Sequence, residues 1–162
     1  MRLAIFSDIH GNRYALEAVL KAIASDGHFD AIIAAGDLSL GGSDPAGCVD
    51  LLREVNAHAV FGNTDKYLTE PDNAPTDELH LKKWHHLRAQ VDWALPLLGP
   101  ERVSWLRTLP FELRFSPPPD FEDDLLVFHG NPKDIVDFIF PPPEQQPRFF
   151  GSVLQPDDDP TL

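Results

Sequence analysis

A chain of 162 residues can form one domain with a sizeable buried core, and its 43% hydrophobic content is that of an ordinary globular protein. A formal net charge of −13 opposes long-range attraction to DNA, RNA or anionic membranes, so nucleic acid is disfavoured as a stable partner, although metal cations can reverse such a field locally and admit phosphate esters. No apolar run is long enough to span a bilayer, and the single cysteine, Cys48, excludes an intrachain disulfide.

The opening "MRLAIFSD" is too short in apolar residues for a signal-peptide core; with the lone cysteine it predicts a cytoplasmic protein. "LAIFS" (3–7) reads as a buried strand. "RYALEAVLKAIAS" (13–25) follows as a helix, with Leu16, Val19, Leu20 and Ile23 at helical spacing. "AIIAA" (31–35) is a second strand. In the next segment Asp44 is a suitable N-cap and Pro45 a suitable first helical residue. "HAVF" (58–61) completes a β-α-β-α-β alternation, the pattern of an α/β sheet with parallel neighbours. Residues 66–76 carry two prolines and no periodicity, which predicts a loop. A helix is expected over 77–98, its apolar face formed by Trp84, Leu87, Val91, Leu95 and Leu98 and its end at Gly99-Pro100; a shorter helix is expected over 101–109. Residues 66–109 thus form a helical insertion that caps the site. "FELRFS" alternates as a half-exposed strand, "SPPPD" is a loop, and "LLVF" (125–128) is a further buried strand. The tail, 141–162, is proline-rich and acidic; its Asp157, Asp158 and Asp159 read as a solvated linker.

Four strands end in the same chemistry: Asp8-Ile9-His10-Gly11-Asn12, Gly36-Asp37, Gly62-Asn63-Thr64-Asp65 and His129-Gly130-Asn131. In open α/β sheets ligands bind outside the carboxyl ends of the strands, and parallel neighbours would gather these clusters at one rim. Each cluster alone has an ordinary explanation: Asp8 as a helix cap, the Gly-Asp and Gly-Asn pairs as turns, either histidine as a hydrogen-bonded strand end. Together, Asp8, His10, Asp37, Asn63 and His129 are a ligand set for divalent transition metals, and a shareable carboxylate with an added amide suggests two ions. His80, His85 and His86 lack the spacing of a helical metal pair and read as a solvated face. His28 and His58 carry no assigned role.

The motifs "DIHGN", "GD", "GNTD" and "HGNP", in this order, resemble those of the calcineurin-like metallophosphoesterases, in particular the small prokaryotic phosphodiesterase branch. The resemblance covers about residues 1–134 and implies a two-sheet α/β sandwich with a dinuclear centre. It implies that Asp8 and His10 bind the first metal, Asp37 bridges both, and Asn63 and His129 bind the second. A bridging hydroxide would attack the phosphorus of a small phosphate ester. Asn12, opening the first helix, would lie near the phosphate, and Asp65 would support the ligands from behind. Two divalent transition metals are expected, Mn²⁺ first, with Fe²⁺, Ni²⁺ or Zn²⁺ as alternatives.

Two positions depart from the family pattern. Many members carry a proton-donating histidine where this chain has Thr64, and threonine is no general acid near neutral pH. The family's later Gly-His-x-His motif has no counterpart, since no histidine follows His129. The expectation is a C-terminally incomplete domain that associates with itself or with the missing piece. The alternative to a metal-dependent phosphodiesterase or phosphatase is a catalytically weak or inactive binding module of the same fold. A nucleotide-binding domain is the weakest reading, for lack of a glycine-rich phosphate loop.

Overall fold

A computed structural model describes residues 1–73, 78–116 and 124–135. Strand β1 (Leu3–Phe6) leads through Asn12 into α1 (Arg13–Ser25). The Asn12 Oδ1 accepts the Ala15 N–H at 3.1 Å, so Asn12 and not Asp8 caps this helix. Leu16 is buried, Leu20 and Ile23 are half-buried, and Val19, expected on the same face, stays exposed because it lies at the margin of the apolar stripe. Strand β2 (Ala31–Ala35) supplies the fully buried Ile33 and Ala34. Helix α2 (Pro45–Glu54) begins as its sequence predicts: Asp44 Oδ1 accepts the Gly47 N–H at 2.8 Å, and Pro45 occupies the first turn.

The three strands β1, β2 and β3 (His58–Val60) form a parallel sheet in the order β1-β2-β3, with Ile5 opposite Ile33 and Ala34 opposite Ala59. The strand "LLVF" is not a fourth parallel neighbour. It is β5 (Leu125–Phe128), antiparallel to β4 (Glu112–Phe115) in a separate two-stranded sheet. A short run of apolar residues records burial but not the direction of the partner strand, which is why the sequence pattern alone misplaced it. The two-sheet arrangement is the one the family resemblance implies.

Residues 66–69, expected in a loop, belong to helix α3 (Asn63–Thr69). The helix starts because the Asp65 carboxylate reaches back to the Gly62 N–H at 3.0 Å, and the two prolines fall after its end or outside the described residues. Helix α4 (Glu78–Arg107) holds both predicted helices, joined through Gly99 at φ 66° and ψ 169°. Its inward face buries Trp84, Val91, Ala94, Leu98, Val103 and Leu106. It packs against α2 and α3. The Arg102 guanidinium grips both oxygens of Asp50 at 2.8 and 2.7 Å, and Arg53 pairs with Glu101 at 2.9 Å, so two ion pairs tie α4 to α2. Among the described residues no helix is long and apolar enough to cross a membrane. The predicted loop over 117–120 and the tail at 141–162, with its three aspartates, lie outside the described residues.

Gly99 occupies a backbone region essentially reserved for glycine, and a Cβ there would meet no atom within 4 Å. Gly99→Ala therefore tests backbone strain without a clash. The expected loss is about 1–3 kcal/mol of stability, read as a lower urea midpoint at unchanged slope.

Candidate metal centre

The rim is built on unfavourable backbone. Asp8, His10 and Asp37 have φ of 57°, 48° and 55°, and among the described non-glycine residues only Asn56 joins them at positive φ. A side chain in this region costs about 1–2 kcal/mol, and the cost is met by cross-links between two loops. The Asp8 N–H donates to the Gly36 carbonyl at 3.2 Å, the His10 N–H to the Asp37 carbonyl at 2.9 Å, and the Gly11 N–H to the Leu38 carbonyl at 3.0 Å. The turn after β1 and the turn after β2 are thereby zipped together. Two glycines make room for the side chains. A Cβ on Gly36 would lie 2.7 Å from the His129 ring, and one on Gly62 would collide with the Asp37 carboxylate.

Asp37 is buried at the centre of this arrangement. Its Oδ1 accepts the Thr64 N–H at 2.9 Å and lies 3.6 Å from the His129 Nε2; its Oδ2 lies 3.5 Å from the His10 Nε2. The Asp8 Oδ1 is 3.6 Å from the same His10 nitrogen. One ligand-capable atom from each of Asp8, His10 and Asp37 falls within 4.8 Å of the others. On the opposite side the His129 Nε2 is 3.2 Å from the Asn63 Oδ1.

Both histidines are oriented by backbone carbonyls. The His10 Nδ1 lies 2.9 Å from the Leu40 oxygen and the His129 Nδ1 2.9 Å from the Ala35 oxygen. A carbonyl only accepts, so each Nδ1 carries the proton, and in the neutral ring each Nε2 presents a lone pair to the carboxylates. The His129 lone pair then faces the Asn63 carbonyl oxygen. A cation between two such acceptors would satisfy both, as would the Asn63 amide turned so that its N–H donates to the Nε2. The donor set, all nitrogen and oxygen, suits divalent transition metals.

Asp65 sits behind the rim, fully buried. Its carboxylate accepts the Leu38 N–H at 3.0 and 3.2 Å and the Gly62 N–H at 3.0 Å, which fixes the residue after Asp37 against the residue before Asn63. Burial pushes its carboxyl up to about 7, helped by the neighbouring Asp37 charge and opposed by the N–H donors of Gly62, Leu38 and Ser39. The structure therefore brings Asp8, His10, Asp37, Asn63 and His129 to one rim, with Asp65 beneath it and Asn12 exposed at the start of α1. The sequence reading missed the segment Ser39–Gly42. Leu40 orients His10, and a Cβ on Gly11 would lie 2.6 Å from the Ser39 carbonyl. The adjacent Gly41-Gly42 pair was its only signal.

Asp65→Asn leaves a side chain of the same shape but sets its amide hydrogens against backbone donors. The expected cost is about 1–3 kcal/mol, measured by urea unfolding of the metal-free protein at pH 8, where the native carboxylate is charged.

The sequence matches the calcineurin-like phosphoesterase family over residues 1–161. An uncharacterised protein of Methanocaldococcus jannaschii is 29% identical over 142 residues, covering 86% of this chain and 54% of its own length. A metallophosphoesterase from Sphaerobacter thermophilus is 30% identical at a TM-score of 0.64, covering 86% of this chain and 51% of that one. A solved structure provisionally assigned as a diadenosine tetraphosphatase is 27% identical at a TM-score of 0.56, with coverages of 83% and 53%. The chain thus spans about half the length of these relatives. A family match across nearly the whole chain, on a two-sheet α/β frame that gathers the motif side chains at one rim, makes this chain a member of the calcineurin-like phosphoesterase family.

Proposed function

We propose that the protein is a metal-dependent phosphoesterase, a phosphodiesterase or phosphatase, with two divalent metals at this rim. The observation that carries the reading is the shared Asp37 carboxylate: one oxygen faces the Nε2 of His10, the other the Nε2 of His129, and neither nitrogen is engaged by a backbone carbonyl. In this reading Asp8, His10 and Asp37 hold one ion, and Asp37, Asn63 and His129 hold the other. Bound there, the metals would supply Lewis acidity, lowering the pKa of water and neutralising charge on phosphoryl oxygens. Mn²⁺ is the first choice, with Fe²⁺, Ni²⁺ and Zn²⁺ behind it.

The protein's own groups do the positioning. The Thr64 N–H holds one Asp37 oxygen, the Leu40 and Ala35 carbonyls keep each imidazole in the tautomer that can bind metal, and Asp65 locks the loops from beneath. Asn12 stands at the N-terminus of α1, where an anion is favoured, and is the proposed neighbour of the substrate phosphate. Residues 66–109 are proposed as a helical cap within a single domain over 1–162, and the one cysteine, buried, accords with a cytoplasmic setting. A completed site in a longer chain, or in a self-associated one, belongs to the same proposal.

Thr64 supports a second reading, a weakly active or inactive binding module. Its hydroxyl is buried and has no hydrogen-bond partner among the described residues, and it cannot donate a proton to a leaving group near neutral pH. One assay separates the two. Mn²⁺-dependent hydrolysis of bis-p-nitrophenyl phosphate is expected for the wild type and is expected to fall more than about a hundredfold in Asp37→Asn, since one carboxylate serves both ions. Equal turnover by the two proteins would overturn the phosphoesterase reading, and no turnover by either would favour the binding module. With no acid at position 64, kcat is further expected to fall steeply from p-nitrophenyl to phenyl esters, whereas a flat response would reveal a proton donor elsewhere.

A further inference from the structure

The last motif of the rim, His129-Gly130-Asn131-Pro132, contains a residue that the metal reading leaves unused. Asn131 is only 4% exposed although its side chain is polar. A buried carboxamide needs partners, and this one finds them in its own turn. Its Oδ1 accepts the Lys133 N–H and the Asp134 N–H, both at 2.8 Å. The main chain closes the same turn: the Asn131 N–H donates to the Asp134 carbonyl at 2.8 Å, and the Asp134 N–H to the Asn131 carbonyl at 3.3 Å. Asparagine followed by proline suits such a turn, because the asparagine side chain imitates a backbone acceptor and proline pre-sets φ.

This turn is packed onto the residue that follows His129. Gly130 has φ of 83°, and a Cβ on it would collide with the Asp134 carbonyl oxygen and lie 2.9 Å from the Ile135 Cα. Ile135 is itself buried and anchors the far end of the turn. On the other side Phe128 is held opposite Glu112 in the β4-β5 pair. His129 therefore stands between a paired strand and a closed turn. Its ring has to meet groups from other elements: the Nδ1 lies 2.9 Å from the Ala35 oxygen, and the Nε2 lies 3.2 Å from the Asn63 Oδ1 and 3.6 Å from the Asp37 Oδ1. None of these groups belongs to the segment that carries His129, so the ring reaches them only if the backbone at 129–130 is held in place.

We propose that Asn131 is a positioning residue for His129, and that its buried side-chain oxygen fixes the arm carrying one ligand of the second metal. Removing that oxygen takes an acceptor from two N–H groups, opens the turn over 131–134 and releases Gly130 from the Asp134 carbonyl and Ile135. The His129 ring then loses its fixed approach to the Ala35 carbonyl, and with it the Nδ1–H tautomer that leaves Nε2 free for a metal. Asp8 and His10 are held by other bonds, to Gly36, Asp37 and Leu40, and keep their places. This rests on the two-metal phosphoesterase reading and deepens it.

Long-range ¹H–¹⁵N NMR of the metal-free protein at pH 8 reads the tautomer of each ring directly. In the wild type both His10 and His129 are expected as the Nδ1–H form. In Asn131→Ala, His129 is expected as a mixture of tautomers, while His10, set by Leu40 in another turn, stays unchanged and reports an intact fold. Asn131→Asp keeps an acceptor oxygen and is expected to restore the single form. In calorimetric titration with Mn²⁺, Asn131→Ala is expected to weaken one of two ions about 10–100-fold and the other less than about twofold. A His129 that keeps the Nδ1–H tautomer in Asn131→Ala, or equal weakening of both ions, would overturn the assignment. A wild type that takes up a single Mn²⁺ and turns over no bis-p-nitrophenyl phosphate would sink the two-metal reading by itself, while the tautomer still decides the role of Asn131.

Discussion

Three turns of this fold meet at Asp37. Its carbonyl accepts the His10 N–H, its carboxylate accepts the Thr64 N–H, and its two oxygens stand 3.5 and 3.6 Å from the Nε2 atoms of His10 and His129. Its side chain adds the Thr64 contact to the main-chain links that already join the turn after β1 to the turn after β2, while Asp65 ties Leu38 to Gly62 at the start of α3. The site is therefore not a set of side chains laid on a finished fold. It is the joint that closes the carboxyl ends of the strands, and the positions of Asp8, Asn63 and His129 follow from it.

The joint is costly in backbone terms. Asp8, His10 and Asp37 all take left-handed φ, where aspartate and histidine are tolerated better than branched or bulky residues but glycine would be easier. Such violations of local preference concentrate at functional sites and persist only where the surroundings over-determine them. Here the surroundings are visible: the cross-loop hydrogen bonds, the buried Asp65 carboxylate bonded to Leu38 and Gly62, and the buried core cluster to which Ala34, Leu38, Leu40, Val49 and Leu52 belong. Asp65 adds an electrostatic cost of its own, since burial beside Asp37 raises its pKa. A carboxylate kept there in spite of that cost does what an apolar residue of the same size cannot, because it satisfies N–H groups from two loops at once.

The imidazoles show the same logic. Each ring is held by a main-chain oxygen from a segment distant in sequence, Leu40 in the turn after β2 for His10 and Ala35 at the end of β2 for His129. A carbonyl cannot change protonation state and hardly moves, so it selects a tautomer more firmly than a side chain would. Gly36 has to be small for His129 to reach its carbonyl, and it is the residue between that carbonyl and Asp37. The ligand geometry thus depends on positions that carry no chemistry themselves.

Local patterns sufficed for what is local. The extents of β1, α1 and β2, the Asp44 cap of α2 and the break at Gly99 follow from burial periodicity, capping and glycine's backbone freedom, all of which act within a few residues. The five ligand-type residues were legible for the same reason, since each ends an apolar strand beside a glycine. Position 66–69 was misread because the signal that starts α3 is the Asp65 contact with Gly62 within a buried joint, where the lack of apolar periodicity matters little. Tertiary structure alone decided the antiparallel membership of β5 in a second sheet, the left-handed turns at Asp8, His10 and Asp37, and the carbonyls that set each histidine. Those features depend on groups brought together from turns up to 94 residues apart, and a linear pattern holds no record of a distance that only chain closure creates.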